Sequence, residues 1–228
     1  MSPALPVDLG AARVDLRERG WAEVPRAMAP AELGRVIERV AEIAAAAGAP
    51  ALFGPDAEPA LDAAAWHAIR REFNHRGALA ELRKREPLRE IAEALLEGYV
   101  ESFPVWKLRL NAPGLAESQH PWHQDEWTWP AQRGREIVTF WLALTPVDAS
   151  NGIELLGRSL RGRLLDHDRD DYQASIADPG ILESGPRVAP VLAPGDAVAF
   201  DPFTLHRSLP NRSGRVRVSL DLRYVRRG

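Results

Sequence analysis

His123, Asp125, His206 and Arg217 are the residues whose types and spacing could do chemistry together. Two histidines and one carboxylate form the facial ligand set of non-haem Fe(II) sites, which leaves three coordination positions open for reaction. His123 and Asp125 are separated by Gln124 alone, so on an extended segment both side chains leave the same face. The third ligand must then come from a second segment, and His206 stands in a suitable one. Arg217, eleven residues further on, supplies a fixed positive charge with the planar fork that binds a carboxylate-bearing co-substrate.

Other polar groups invite the same reading and are set aside. His120 precedes His123 by three residues and is expected to orient the loop or face solvent. The run Asp166-His167-Asp168-Arg169-Asp170-Asp171 looks metal-like but reads as a solvated loop. His67 and His75 lie in a charged helical region and are expected at the surface. Arg215 competes with Arg217, since alternation puts both on one face of the same strand.

The elements that must position these groups fall into two halves. Residues 1–104 read as a mostly helical layer. Trp21–Val24 is a short strand, and Pro30-Ala31-Glu32 opens a helix with Leu33, Val36, Ile37, Val40 and Ile43 at helical spacing and Gly48 as its stop. Residues 48–60 read as a loop, Leu61–Arg85 as helix with an irregular middle, and Pro87-Leu88 begins a helix carrying Ile91, Ala94, Leu95 and Tyr99. Residues 105–228 change to short strands separated by turns: Val105–Leu110, the apolar run Ile137–Leu144, Ile153–Leu156 after the Asn151-Gly152 turn, and Ala197–Phe200 after Pro194-Gly195-Asp196. In the last strand Val216, Val218, Leu220, Leu222 and Tyr224 alternate with Arg215, Arg217, Ser219, Asp221 and Arg223.

Composition narrows the classes. With 228 residues the chain has the length of one larger, mainly β domain. A net charge of −3, with both signs mixed along the chain, argues against nucleic acid or an anionic membrane surface as partner. The absence of cysteine excludes disulfides, thiolate metal ligands and a cysteine nucleophile. No signal peptide or membrane-spanning run is visible, so a cytoplasmic location is expected. Five of the seven tryptophans fall between Trp106 and Trp141.

The ordered series Trp122-His123-Gln124-Asp125, Asn151-Gly152, Gly195-Asp196, His206-Arg207-Ser208-Leu209-Pro210-Asn211 and Arg217 resembles the phytanoyl-CoA dioxygenase family. So does the N-terminal phrase ending Gly20-Trp21 followed by Pro30-Ala31-Glu32-Leu33. The resemblance implies a double-stranded β-helix (jelly roll) with N-terminal α-helices packed on one side. It implies His123, Asp125 and His206 as ligands of Fe(II), and Arg217 as partner of the distal carboxylate of 2-oxoglutarate. Ser208 and Trp141 fall where the family has further co-substrate contacts; Ser219, on the strand face of Arg217, and Asn111 are lesser candidates. Two departures are visible. Leu156-Gly157-Arg158-Ser159-Leu160 stands where the family has Pro-Gly-Ser-His, which touches substrate contacts rather than the metal. Retention of Asp125 disfavours the halide-binding variant of the site.

The implied reaction consumes O2 and 2-oxoglutarate, releases succinate and CO2, and oxidises a small-molecule substrate, most simply by hydroxylation. Cyclisation, desaturation or epimerisation by the same oxidant, and a non-catalytic cupin-like binding protein, are the alternatives. Trp127 and Trp129, with Glu126, could form an aromatic wall for substrate, or equally pack beneath the helices.

Overall fold

Helix α1 (Leu9–Arg19) begins where the Asp8 carboxylate accepts the N–H of Ala11 at 3.0 Å and ends at Gly20, whose φ of 84° is a left-handed cap that glycine adopts without strain. Sequence reading marks no helix here, and the reason is plain: only Ala12 and Leu16 are buried, too few apolar contacts to leave a periodic trace. Strand β1 (Trp21–Val24) follows as expected. Helix α2 (Pro30–Ala46) carries proline in its first turn and buries Val36, Val40, Ile43 and Ala44 on one stripe. Helices α3 (Ala63–His75), α4 (Ala80–Arg85) and α5 (Arg89–Leu96) complete the helical part. Tyr99 is not part of α5; it lies beyond the helix and is 81% exposed.

The structure is a computed structural model and describes residues 8–49, 51–54, 61–75, 80–85, 88–157, 160–169 and 174–228. The expected irregular middle of 61–85 falls on 76–79, outside the described residues, as does Arg158-Ser159 of the departing loop. Among the described residues no helix is long and apolar enough to cross a membrane.

The strands are β2 (Val100–Ser102), β3 (Lys107–Asn111), β4 (Ile137–Ala143), β5 (Ile153–Leu156), β6 (His167–Arg169), β7 (Ala174–Ile176), β8 (Arg187–Val188), β9 (Ala197–Phe200), β10 (His206–Ser208) and β11 (Arg217–Arg226). One antiparallel sheet has the order β1-β9-β4-β11-β2, with β3 also paired to β11; a second has the order β10-β5-β8. The charged 166–171 run differs from expectation: His167–Arg169 pairs with Ala174–Ile176 as a two-stranded sheet. Residues 170–173 lie outside the described part.

Two apolar layers follow from this topology. One face of the larger sheet, through Phe140, Leu142, Val218, Leu220 and Leu222, packs on the helices through Val40, Ile69, Ile91 and Leu95. The opposite face meets the smaller sheet, where Trp21, Trp141, Val198 and Phe200 contact Ile153 and Leu155. Every residue of β11 from Arg217 to Val225 is buried. Its alternation therefore separates a helix-packed core face from a polar face turned into the space between the sheets, rather than core from solvent.

Candidate metal centre and its anion pocket

The three candidate ligands converge between the two sheets. His123 and His206 exchange backbone hydrogen bonds, His123 N to His206 O at 3.0 Å and His206 N to His123 O at 3.2 Å, as a single antiparallel bridge. That pairing sets their rings 4.2 Å apart. Asp125 is reached differently from the extended geometry expected: the chain turns into the one-turn helix α6 (Asp125–Thr128) at this residue. Potential donor atoms of His123, Asp125 and His206, all buried, lie within 4.8 Å of one another. His123 Nε2 and Asp125 Oδ1 are 3.9 Å apart.

The surroundings prepare each donor. His123 Nδ1 donates to Pro121 O at 2.8 Å and His206 Nδ1 to Thr204 O at 3.0 Å. Each ring thus keeps an unprotonated Nε2 as its lone-pair donor, the arrangement that orients metal-binding histidines. Burial, with His206 beside it, pushes the His123 pKa down to about 3, and burial lowers that of His206; both rings are neutral at physiological pH. Burial works to raise the Asp125 carboxyl, but the Arg223 guanidinium overrides it, and the group titrates well below the usual carboxylate range. Its Oδ2 accepts from Arg223 Nη2 at 3.1 Å and Thr139 Oγ1 at 3.3 Å, leaving Oδ1 toward the histidines.

Gln124, between the two ligands, is a clamp. Its side chain donates to Arg163 O and Phe203 O and accepts from Leu165 N, while its backbone N–H donates to His167 Nε2 at 3.0 Å. His167, read from sequence as part of a solvated loop, thus supports the ligand segment.

Beside the ligands, one cavity is lined by His123, His206, Trp141, Ser208 and Arg217 together with Arg70, Arg109, His120, Arg207 and Asp221. Arg217 is 2% exposed. Its Nε donates to Asn151 O at 3.2 Å and its Nη1 to Ser219 Oγ at 2.9 Å, and its guanidinium lies 5.0 Å from the centre of the Trp141 ring. Among the described residues no carboxylate lies within 4.0 Å of it. Burial brings its pKa down to about 9. A buried cation without a close counter-ion is costly; Asp221 offsets part of that cost, and an anion in the cavity would offset more.

Among the other sequence candidates, Asn111, Trp127, Trp129 and Arg215 do not line that cavity, whereas His120 does. Asn111 is buried beneath it, its amide donating to Leu209 O at 2.8 Å and Asn151 O at 3.3 Å and its Oδ1 accepting from Ser118 Oγ at 3.2 Å. Trp127 stacks on His167, and Trp129 packs on Phe103 with the Arg223 guanidinium 4.8 Å from its ring centre. Arg215 precedes β11 and is exposed, so it does not share the face of Arg217. His120 lines the cavity and accepts from Arg109 Nη1 at 2.6 Å.

Sequence reading missed Arg109, Asp221 and Arg223. Asp221 Oδ2 accepts from Arg109 Nε at 2.7 Å and from Arg223 Nη2 at 3.0 Å, and Arg223 passes the contact on to Asp125. The signal was present as charges alternating along β11 and β3. In register, Arg217 faces Asn111, Ser219 faces Arg109 and Asp221 faces Lys107, so these side chains share one face.

A two-histidine, one-carboxylate cluster held between antiparallel sheets, beside a buried arginine without a counter-ion, defines a metal-dependent oxygenase architecture. The chain belongs to the phytanoyl-CoA dioxygenase family, whose sequence model matches residues 16–219. The peroxisomal phytanoyl-CoA dioxygenase of Rattus norvegicus is 30% identical over 141 residues, 55% of this chain and 42% of that protein. A probable phytanoyl-CoA dioxygenase of Caenorhabditis elegans is 30% identical over 125 residues, 51% of this chain and 40% of that protein. The matches therefore span less than half the length of these curated relatives. Among solved structures, EvdO2 of Micromonospora carbonacea var. aurantiaca complexed with 2-oxoglutarate shares the fold with a TM-score of 0.72 at 22% identity, over 100% of this chain and 94% of that one. The α-ketoglutarate-dependent epimerase SnoN from nogalamycin biosynthesis aligns with a TM-score of 0.63 at 19% identity, covering 97% and 84% of the two chains.

Proposed function

We propose that this protein is an Fe(II)- and 2-oxoglutarate-dependent dioxygenase that oxidises a small molecule, its two facing sheets forming the double-stranded β-helix of a single oxygenase domain. The observation that carries the reading is the buried cluster of His123, Asp125 and His206, whose two histidines line the same cavity as Arg217, a buried cation with no carboxylate within 4.0 Å among the described residues. The donor set fits the ion: two neutral imidazoles and one ionised carboxylate suit Fe(II) and leave positions for co-substrate and O2. When bound, iron and 2-oxoglutarate supply the oxidising chemistry, with succinate and CO2 leaving and oxygen delivered to substrate, most simply as a hydroxyl.

The chain's own residues do the rest. His123, Asp125 and His206 hold the metal, and the carbonyls of Pro121 and Thr204 keep both rings in the ligating tautomer. Arg223 and Thr139 fix one oxygen of Asp125 so that the other is free to ligate. Arg217, braced by Ser219 and the Asn151 carbonyl above Trp141, receives the distal carboxylate of 2-oxoglutarate, and Ser208 lines the same space. Burial excludes water from these contacts and strengthens them. Family membership favours this reading over the non-catalytic, cupin-like one. Fold relatives are an epimerase and a carbocyclase, SnoN and SnoK, so epimerisation or cyclisation is the second outcome that the same site supports.

The test needs no substrate. Apoprotein given Fe(II) and 2-oxoglutarate without oxygen should develop the visible charge-transfer band of chelated co-substrate. The band should vanish in Asp125→Ala and require at least roughly tenfold more 2-oxoglutarate in Arg217→Met, the loss of one charge-assisted contact. Folded, iron-loaded wild-type protein without a band would overturn the assignment.

A further inference from the structure

Asp201-Pro202-Phe203-Thr204 has the sequence of a β-turn, with aspartate at the first position and proline at the second. The structure closes it: Thr204 N donates to Asp201 O at 3.1 Å and Phe203 N to Asp201 Oδ1 at 2.9 Å. The cap of α1 holds the turn from behind, where Gly20 O accepts from Asp201 N at 2.9 Å and from the Thr204 hydroxyl at 2.7 Å. A buried carboxyl is a costly way to close a turn. Asp201 is 3% exposed and its Oδ2 has no partner among the described residues, so the turn alone does not account for it.

What the turn faces does. Three successive carbonyls leave it toward the candidate metal ligands. Pro202 O accepts from Glu126 N, directly after Asp125, at 2.9 Å. Phe203 O accepts from Gln124 Nε2 at 2.7 Å, and Thr204 O from His206 Nδ1 at 3.0 Å.

Building on the functional reading above, we infer that Asp201 is a positioning residue of the metal centre: its carboxyl holds the Asp201–Thr204 turn in the shape that aims these three carbonyls at the ligand segments.

The hold works through shared peptide planes. Pro202 O and Phe203 N belong to one planar peptide unit; Asp201 Oδ1 accepts its N–H while its carbonyl receives Glu126. Phe203 O and Thr204 N belong to the next, which Asp201 O and Gln124 hold from its two sides. Rotating either unit breaks both of its bonds together. The proline ring fixes φ at Pro202 only, so the orientation of the first unit rests on Asp201 Oδ1 behind it and Glu126 in front. Gln124 precedes Asp125 and Glu126 follows it, so the turn constrains the chain on both sides of that carboxylate as well as the ring of His206. His123 is tied in through its backbone bridge to His206. One side chain that touches none of the three ligands thereby stands behind the placement of all of them.

The test uses the whole metal-free protein and Co(II), followed by its visible absorption, which reports both affinity and ligand geometry. Asp201→Asn keeps an acceptor for Phe203 N and should bind Co(II) within about twofold of wild type, with the same band shape at saturation. Asp201→Ala removes the acceptor. Its affinity should fall about tenfold or more, as on loss of other supports of ligand groups, and the band should change shape. Asp201→Ser, whose shorter side chain makes the same turn more weakly, should fall between them. Ile43→Ala, a core truncation on α2, destabilises by opening a cavity and should leave Co(II) affinity within about twofold of wild type. Equal affinities for the asparagine and alanine variants, an unchanged band shape in Asp201→Ala, or an equal loss in Ile43→Ala would each overturn the proposal. If Asp201→Ala does not fold, the serine variant decides, and binding as tight as that of Asp201→Asn would overturn it. Failure of the underlying metal-site reading is separate: wild-type protein would then bind no Co(II).

Discussion

Replacing Arg223 by methionine removes the cation that joins Asp125 to the rest of the buried network while keeping an unbranched side chain of comparable length. Arg223 is 1% exposed and spans two carboxylates and a carbonyl: Asp125 Oδ2 at 3.1 Å, Asp221 Oδ2 at 3.0 Å and Val105 O at 2.9 Å. The loss is uneven. Asp221 keeps Arg109 at 2.7 Å, whereas Asp125 Oδ2 keeps only the Thr139 hydroxyl at 3.3 Å. Leaving one buried charge without its partner costs about 3–5 kcal/mol, a large part of the roughly 5–15 kcal/mol that holds a domain folded. Because the stranded group is a proposed metal ligand, metal affinity should fall about 10–100-fold, the usual consequence of losing an outer partner of a ligand. Urea unfolding of the metal-free protein at neutral pH reads the first effect, and titration with Co(II), followed by its visible absorption, reads the second. Arg223→Lys, which keeps the charge but cannot bridge three acceptors, should recover part of both. A methionine variant within about 1 kcal/mol of wild type with undiminished Co(II) affinity would refute the claim that Arg223 positions Asp125.

Two further substitutions probe the frame of the site. Asp201 is buried, its Oδ1 accepting from Phe203 N and Thr204 Oγ1 while Oδ2 has no partner among the described residues, and burial raises its pKa from 3.8 to about 6. The folded state thus holds the Asp201 proton more tightly than the unfolded state, so this group's contribution to stability is fully present below about pH 4 and lost as pH rises through 6. Asp201→Asn should therefore raise stability at pH 7.5 by up to about 3 kcal/mol and by much less at pH 4.5, as read from urea midpoints; equal gains at both pH values would contradict it. Asn111→Ala should cost about 1–3 kcal/mol, because it strands the carbonyl of Leu209 and leaves that of Asn151 with Arg217 alone; unfolding at wild-type denaturant concentrations would show that Asn111 does not hold that turn.

What was legible in the sequence followed the strength of the local signal. Trp21–Val24, α2 and the strand run of β11 were readable because apolar period and turn residues agree. Gly152 was readable as a turn for a steric reason: a Cβ there would lie 2.8 Å from both Asp148 O and Val147 Cγ1. His123, Asp125, His206 and Arg217 were singled out by spacing; the structure clusters the first three and puts His123, His206 and Arg217 on one cavity. Arg109, Asp221 and Arg223 were not, because alternating charges on a strand ordinarily mean a solvent face, and only the second sheet turns that face inward. The short sheet at His167–Arg169 escaped notice for the same kind of reason, since local charge density says nothing of a partner strand.

Strand β11 is also a ruler. Arg217, proposed to receive the anion, and Arg223, which holds the Asp125 carboxylate, are six residues apart on one strand, hence separated by roughly 20 Å of backbone at the rise of an extended chain. Pairing with β3 and β4 on either side removes any freedom to slide, and a slip by a single residue would exchange the charged row for the leucines and valines of the core. The interval between co-substrate and metal supports is therefore inherited as a fixed length. The other margin of the cavity, where α3 presents Trp66, is not tied to that length.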